Sequence, residues 1–339
     1  MAMGNTMKRW ELAQFGKHHL ELVAAEIPTP GPGQILVRVK AVALNYRDLL
    51  MMADGMGLPV ALPFTPASDM AGEVVALGVG VSRFQAGDLV ISTFFTGWLD
   101  GVAPSGISML GGPGPGMLAE YVLLDQEWAV AAPASLTAAE ASTLPCAGLT
   151  AWFAMNEVGT LRAGQTVVVH GTGGVALFGV QLAVAQGAEV IVVSGSDDKL
   201  AQAKALGVAH GINRRSTPDW AQAVLEFTGG RGADHVLELV GGANFGASLN
   251  ALAQGGQVSV IGVLAGGEIS SSVYPLLLKR ITVQGIGVGH RRALEDLVRA
   301  VDQAGIKPVI EREYTLTELP AALEHLERGA FGKVVVRVS

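Results

Sequence analysis

The chain has 339 residues, 50% of them hydrophobic and 16% charged, with a formal charge of −7, which is enough for about two domains with sizeable cores. No apolar run reaches the ~18 uncharged residues of a membrane span, and residues 1–7 lack the basic start and apolar centre of a secretory signal, so a cytoplasmic location is expected. The acidic balance without a long basic cluster argues against a nucleic-acid surface, and a lone cysteine, Cys146, excludes an internal disulfide or a zinc site built on several thiolates.

Taken in chain order, short β-rich runs at 35–42, 71–77, 88–92 and 118–123 are separated by Pro and Gly clusters and read as a compact β domain over 1–130. Between them lies the Gly/Pro-rich stretch 97–116, the one compositionally biased segment of the chain. From about residue 131 to 304 the pattern becomes strand–helix alternation, with strands expected at 166–170, 189–193, 209–212, 234–238, 257–261 and 281–285. Six such strands make a doubly wound parallel sheet of α/β class. An amphipathic helix over 319–328 and a last strand over 333–338 follow; a terminal strand of that kind can rejoin the first domain, which then comprises 1–130 and 305–339 with the second inserted.

The chemistry is written most plainly where the strand at 166–170 ends in His170 and breaks into Gly171, Thr172, Gly173, Gly174 and Val175 before an apolar helix over 175–186. Glycines let backbone N–H groups approach a pyrophosphate, and the free amides and dipole of the helix start face its charge. The match is G-x-G-x-x-A, with Ala176 in the third place. His170 itself reads either as a phosphate contact or as a packed strand-end residue. Gly241 and Gly242 after the fourth strand, and Gly262 and Val263 after the fifth, stand at strand C-terminal ends, where such sheets place their ligand crevice.

The second strand ends in Ser194, followed by Gly195 and Ser196, with no carboxylate where one would accept the adenosine ribose hydroxyls. Two hydroxyls and Lys199 can instead receive a 2′-phosphate, which favours NADP(H) over NAD(H). Arg214 and Arg215 after the third strand can close over the same phosphate or form a solvated loop pair, and Asp197 and Asp198 cut the other way unless they serve only the helix dipole.

The segments Ala43-Leu-Asn45-Tyr46-Arg47-Asp48, Pro66-Ala-Ser68-Asp69-Met-Ala-Gly72-Glu73-Val74, Gly87-Asp88-Leu-Val90, Leu144-Pro-Cys146-Ala-Gly-Leu-Thr150-Ala, the glycine turn and Gly332-Lys333-Val-Val-Val336 extend the pattern over the whole chain. With them the sequence resembles the medium-chain dehydrogenase/reductase superfamily, in its zinc-free alcohol dehydrogenase and quinone oxidoreductase branch. The resemblance implies a GroES-like β-rich catalytic domain from both ends of the chain, an inserted Rossmann domain, a small-molecule substrate bound in the cleft, and a homodimer with the sixth Rossmann strand as seam.

In the zinc enzymes of that superfamily the metal is held by a cysteine in a C-x-T-D segment, a histidine in a G-H-E segment and commonly a cysteine in an L-C-A-G segment. Here the matching places are Asn45, Ser68 and Cys146, and the cysteine-rich structural lobe is missing. One thiolate does not hold a tetrahedral zinc, so no metal is expected, and Cys146 reads as a small buried residue. Without a Lewis acid to stabilise an alkoxide, reduction of a quinone or conjugated carbonyl is favoured, because its charge delocalises to a remote oxygen. The expected function is therefore a zinc-independent NADP(H)-dependent oxidoreductase acting on a small carbonyl, quinone or enone. The alternatives are a zinc-free NAD(P)-dependent alcohol dehydrogenase and a nucleotide-binding protein without turnover.

The resemblance also assigns residues. It implies that Asn45 hydrogen-bonds a ribose hydroxyl or substrate oxygen, that Thr150 orients the nicotinamide carboxamide, and that Val288 touches the cofactor through backbone atoms. Tyr46 is a candidate proton donor or an aromatic wall of the pocket; Leu49 and Leu50 stand where several quinone reductases carry a tyrosine. Arg47 and Asp48 read as a structural pair, and Lys333 as a structural or backbone contact.

Overall fold

The computed structural model describes residues 6–338, which divide into two compact units: residues 1–149 with 289–339, and 150–288. The first is built on strands β1 (Thr6–Leu12), β2 (Leu20–Glu26), β3 (Gln34–Ala43), β4 (Asp69–Leu77), β5 (Leu89–Ser92), β6 (Phe95–Thr96), β7 (Ser108–Met109), β8 (Tyr121–Asp125) and β9 (Ala129–Ala131). Helix α1 (Tyr46–Asp54) follows β3, and the short turns α2 (Ala138–Ala141) and α3 (Leu149–Trp152) lie near the unit's edge in sequence. The hairpin of β1 and β2 has no counterpart among the sequence-expected strands. Its partly buried alternation is weak because only Met7, Trp10 and Leu12 reach the core.

The second unit carries β10 (Thr166–His170), α4 (Gly174–Ala185), β11 (Glu189–Ser194), α5 (Asp197–Lys204), β12 (His210–Asn213), α6 (Trp220–Phe227), β13 (Ala233–Glu238), α7 (Asn244–Ala251), β14 (Leu252–Val260), α8 (Tyr274–Lys279) and β15 (Thr282–Gly285). Its six strands pair in parallel in the order β12-β11-β10-β13-β14-β15. All five residues of β10 are buried, as an unbroken Thr-Val-Val-Val-His run in the middle of a sheet covered on both faces requires. The strand order reverses between β10 and β13, and a doubly wound sheet opens its ligand crevice at the C-terminal ends of the strands at that switch.

The chain then returns to the first unit through α9 (Arg291–Ala304), β16 (Ile310–Thr315), α10 (Leu319–Arg328) and β17 (Lys333–Arg337). β17 lies antiparallel to β3, with Val335 opposite Ala43 and Val336 opposite Val42, in a sheet ordered β16-β17-β3-β4-β5-β9. Contacts also tie residues 131–149 and 289–304 to this unit: the Ala134 and Ser135 amides donate to the Asp302 carboxylate at 3.1 and 3.0 Å. The contact boundary thus falls beyond 130 and before 305, where α9 buries Ala293, Leu294, Leu297 and Val301.

Candidate active site

The glycine turn opens where expected, but its groups divide their work. Gly171 takes φ +80, a left-handed conformation that glycine adopts without penalty, and its N–H donates to the Val193 carbonyl at 2.7 Å. That amide is therefore engaged within the sheet, and Gly171 supplies the turn rather than a phosphate donor. Gly173 caps α4, so the amides without a helical partner are those of the first turn, at Gly174, Val175 and Ala176. A Cβ built on Gly171 or Gly173 would meet nothing within 4 Å, leaving room for a phosphate to approach the backbone. Thr172 lies buried between them.

At the end of β11, Ser194 is buried and the Ser196 hydroxyl caps α5 by accepting the Lys199 N–H at 3.4 Å. Over the intervening glycine sit two guanidinium groups: a Cβ on Gly195 would lie 3.2 Å from Arg215 Nε and 3.6 Å from Arg214 Nη2. Among the described residues neither arginine forms an ion pair with a carboxylate, and both are exposed. Sequence alone left these arginines either closing over a phosphate or standing as a solvated loop pair; their convergence on Gly195 is a structural finding.

On the other side of the switch point, Gly241 and Gly242 follow β13, and Gly262 follows β14. A side chain at Gly262 would place its Cβ 2.0 Å from the Leu239 carbonyl, so the close approach of these two loops excludes any larger residue. Val263 is half exposed, whereas Thr150 and Val288 are buried. Val288 holds φ +60, a strained conformation for a β-branched residue that the surrounding structure has to enforce.

Beneath these loops lies a knot that the sequence did not announce. The Glu238 carboxylate accepts the Val240 and Gly241 N–H groups at 2.8 and 3.0 Å, the Asn244 side-chain amide at 2.8 Å and the Ser248 hydroxyl, and it pairs with His170 Nδ1 at 3.3 Å. Burial opposes its charge, yet His170, Ser248 and the Val240 amide together bring its carboxyl from 4.5 down to about 2. The signal was a lone acid inside the apolar run 236–240.

In the first unit, Asn45 is buried at the start of α1, its N–H donating to the Asp48 carboxylate at 2.8 Å. Its side-chain oxygen accepts from Lys333 Nζ at 2.6 Å, and the same ammonium donates to the Leu44 carbonyl at 2.6 Å. Asn45 Nδ2 makes no well-formed hydrogen bond, although it lies close enough to Asp69 to favour that carboxylate's ionised form. Asp69 accepts from the Ser68 hydroxyl at 2.6 Å and the Cys146 N–H at 3.0 Å. Burial pushes its carboxyl up, against the pull of Lys333, Ser68, Asn45 and the Cys146 amide. Asp48 is lifted by burial from 3.8 to about 6, despite Arg47 beside it. Arg47 pairs with Asp48 at 3.3 Å and donates to the carbonyls of Leu110, Gly111 and Gly112, so the two act as the structural pair the sequence suggested. Tyr46, by contrast, is 45% exposed.

The places matched to zinc ligands do come together around Asp69, but their chemistry does not suit the metal. Asn45 offers an oxygen already held by an ammonium, Ser68 a hydroxyl donating to a carboxylate, and Cys146 a thiol that burial and the neighbouring carboxylates push well above its ordinary range. Among the described residues no group of three His, Cys, Asp or Glu side chains could hold a metal ion.

The Gly/Pro-rich stretch is anchored at both ends of its length. β6 pairs with β7, Arg47 caps the carbonyls of residues 110–112, and the Arg291 and Arg292 N–H groups donate to the Trp98 and Leu99 carbonyls at 3.0 and 3.1 Å. Residues 99–106 between these anchors are exposed.

Comparison with known proteins identifies the family and the fold. A model described as the alcohol dehydrogenase GroES-like domain matches residues 31–134, and one described as zinc-binding dehydrogenase matches residues 174–303. The chain is 38% identical over 323 residues to a zinc-type alcohol dehydrogenase-like protein of Schizosaccharomyces pombe, covering 92% of this chain and 93% of that one. It superposes on the crystal structure of a presumed alcohol dehydrogenase from Sinorhizobium meliloti 1021 with a TM-score of 0.96 and 59% identity, over 99% of this chain and 100% of that one. A structure described as an NAD-dependent alcohol dehydrogenase matches with a TM-score of 0.91 and 31% identity, over 98% and 100% of the two chains. Fold and relatives together define an alcohol dehydrogenase-like, NAD(P)-dependent oxidoreductase. The chain belongs to the medium-chain dehydrogenase/reductase superfamily. No helix among the described residues is long and apolar enough to cross a membrane.

Proposed function

We propose that this protein is a zinc-independent, NADP(H)-dependent reductase of small carbonyl compounds, with quinones and conjugated enones as the favoured acceptors. The observation that carries the reading is the end of β11, where Arg214 and Arg215 converge on Gly195 without carboxylate partners and beside the hydroxyls of Ser194 and Ser196. A guanidinium pair without a counter-ion suits a dianionic 2′-phosphate. The amides of Gly174, Val175 and Ala176 receive the pyrophosphate, the backbone at Gly241, Gly262, Val263 and Val288 lines the crevice, and Thr150 orients the carboxamide.

When bound, the nicotinamide supplies the hydride. In the first unit, Lys333 holds the Asn45 oxygen while Asp69 lies near its Nδ2, and the amide so fixed offers its remaining N–H to a ribose hydroxyl or the acceptor's oxygen. A delocalised acceptor needs only such donors, which is why the absence of a zinc-binding donor set supports enone or quinone reduction. The names of the relatives favour a second reading, oxidation of an alcohol with NAD(P) and without zinc. Following NADPH and NADH absorbance across a panel of enones and quinones, and NADP reduction with alcohols, each with and without chelator, separates the two. Dinucleotide binding with no turnover in either direction would leave a binding role instead.

We also propose a homodimer through the edge strand β15. Among the described residues its outer edge has no strand partner, and α8, which precedes it in the chain, exposes Tyr274, Leu277 and Leu278 at 68%, 66% and 71%.

A further inference from the structure

We infer that His170 and Glu238 are positioning residues for the dinucleotide, a buried pair that joins the two walls of its crevice from beneath. The inference rests on the cofactor reading above. The two residues end β10 and β13, the neighbouring strands between which the sheet order reverses. His170 immediately precedes Gly171, whose turn leads to the phosphate-facing amides; Glu238 immediately precedes the loop of Val240 and Gly241.

Glu238 is fully buried and takes hydrogen bonds from two loop amides, from Asn244 and from Ser248, with His170 Nδ1 3.3 Å away. Burying a carboxylate costs several kcal/mol, and apolar packing alone would stabilise the strand more simply. What the charge does that an apolar side chain cannot is hold the Val240 and Gly241 N–H groups, and so set the turn in which Gly241 and Gly242 adopt φ +73 and +56. The His170 ring stands edge-on to Trp220, 4.8 Å between centroids, and its Nε2 is buried without a partner. Its ring plane and depth are therefore set by Trp220 and by the Nδ1 side, where Glu238 and Asn244 lie. A shift of either residue moves the wall that the other supports.

The test is NADPH titration by fluorescence on the full-length protein, with thermal unfolding in parallel, for wild type, His170→Gln, Glu238→Gln and the double variant. Each single substitution is expected to weaken NADPH binding about tenfold, and the double no more than about twofold further, because the second change removes a contact already lost. NADPH affinity within about twofold of wild type in both singles, whatever happens to the melting temperature, overturns the proposal; so does a double variant whose two losses multiply. Should a single variant fail to fold, Ser248→Ala removes one donor to Glu238 more gently. It is expected to weaken binding about threefold, and unchanged binding would again overturn the pair's role. Wild-type protein that binds neither NADPH nor NADH would defeat the cofactor reading itself, an outcome distinct from tight wild-type binding with indifferent variants.

Discussion

The ammonium of Lys333 lies 2.6 Å from the side-chain oxygen of Asn45, although 288 residues separate them in the chain. It is a cation delivered by the last strand to the buried start of α1, with Asp69 and Asp48 near enough to feel its charge. Lys333→Met should therefore leave the Asn45 oxygen and the Leu44 carbonyl short of a donor and take a neighbouring positive charge from the buried Asp48 and Asp69, and destabilise the protein by about 3 kcal/mol. Urea midpoints of the two proteins check this, and turnover should fall as the Asn45 amide loses its fixed orientation.

Arg214→Ala or Arg215→Ala should weaken NADPH binding by about tenfold each, the size of one charge-assisted contact. NADH binding should change by less than about twofold, since NADH has no 2′-phosphate. Parallel titrations with the two reduced cofactors give the answer, and equal losses for both would place the arginines elsewhere.

Acid stability should depend on Glu238. Its folded carboxyl is depressed from 4.5 to about 2, so its contribution is present above about 4.5 and disappears as the pH falls towards 2. The full contribution is on the order of 3 kcal/mol. Unfolding free energies measured from pH 6 down to pH 3 should fall more steeply for wild type than for Glu238→Gln, with the gap between the two curves narrowing towards the acid end.

Removal of metal should have no effect. Dialysis against a chelator is expected to leave melting temperature and NADPH turnover unchanged, with well under one zinc per chain by elemental analysis. Stoichiometric zinc that restores activity would contradict the proposed metal independence.

Leu278→Arg, alone or with Leu277→Arg, should convert the proposed dimer to monomer in sedimentation or light scattering, because it places charge in the exposed apolar strip beside β15. Folding should survive, since neither leucine is part of the core.

The parallel sheet was readable because residues 166–170 and 190–194 are unbroken buried runs with turn residues at their ends. The return of β17 was readable for the same reason. The β1–β2 hairpin escaped notice because a half-buried strand pair with few core residues gives little periodicity. At the site, local motifs located the glycine turn and Ser194, but not the division of labour within the turn, since the Gly171 to Val193 hydrogen bond belongs to the sheet register. The knots around Glu238 and Lys333 are assembled from distant segments. Each shows in the sequence only as one charged residue amid apolar neighbours, a sign that something must compensate it without saying what.

The pairing of β17 with β3 also fixes an order of events at the ribosome. The inserted unit, residues 150–288, has all its strands in hand while the flanking sheet still lacks the strand that pairs with residues 41–43 of β3, beyond the stretch that β8 covers. The unit that is begun first thus completes its sheet last, and until residues 333–337 emerge residues 41–43 lack their strand partner and Asp48 and Asp69 lack the charge of Lys333, a window in which a nascent chain would benefit from chaperone shelter.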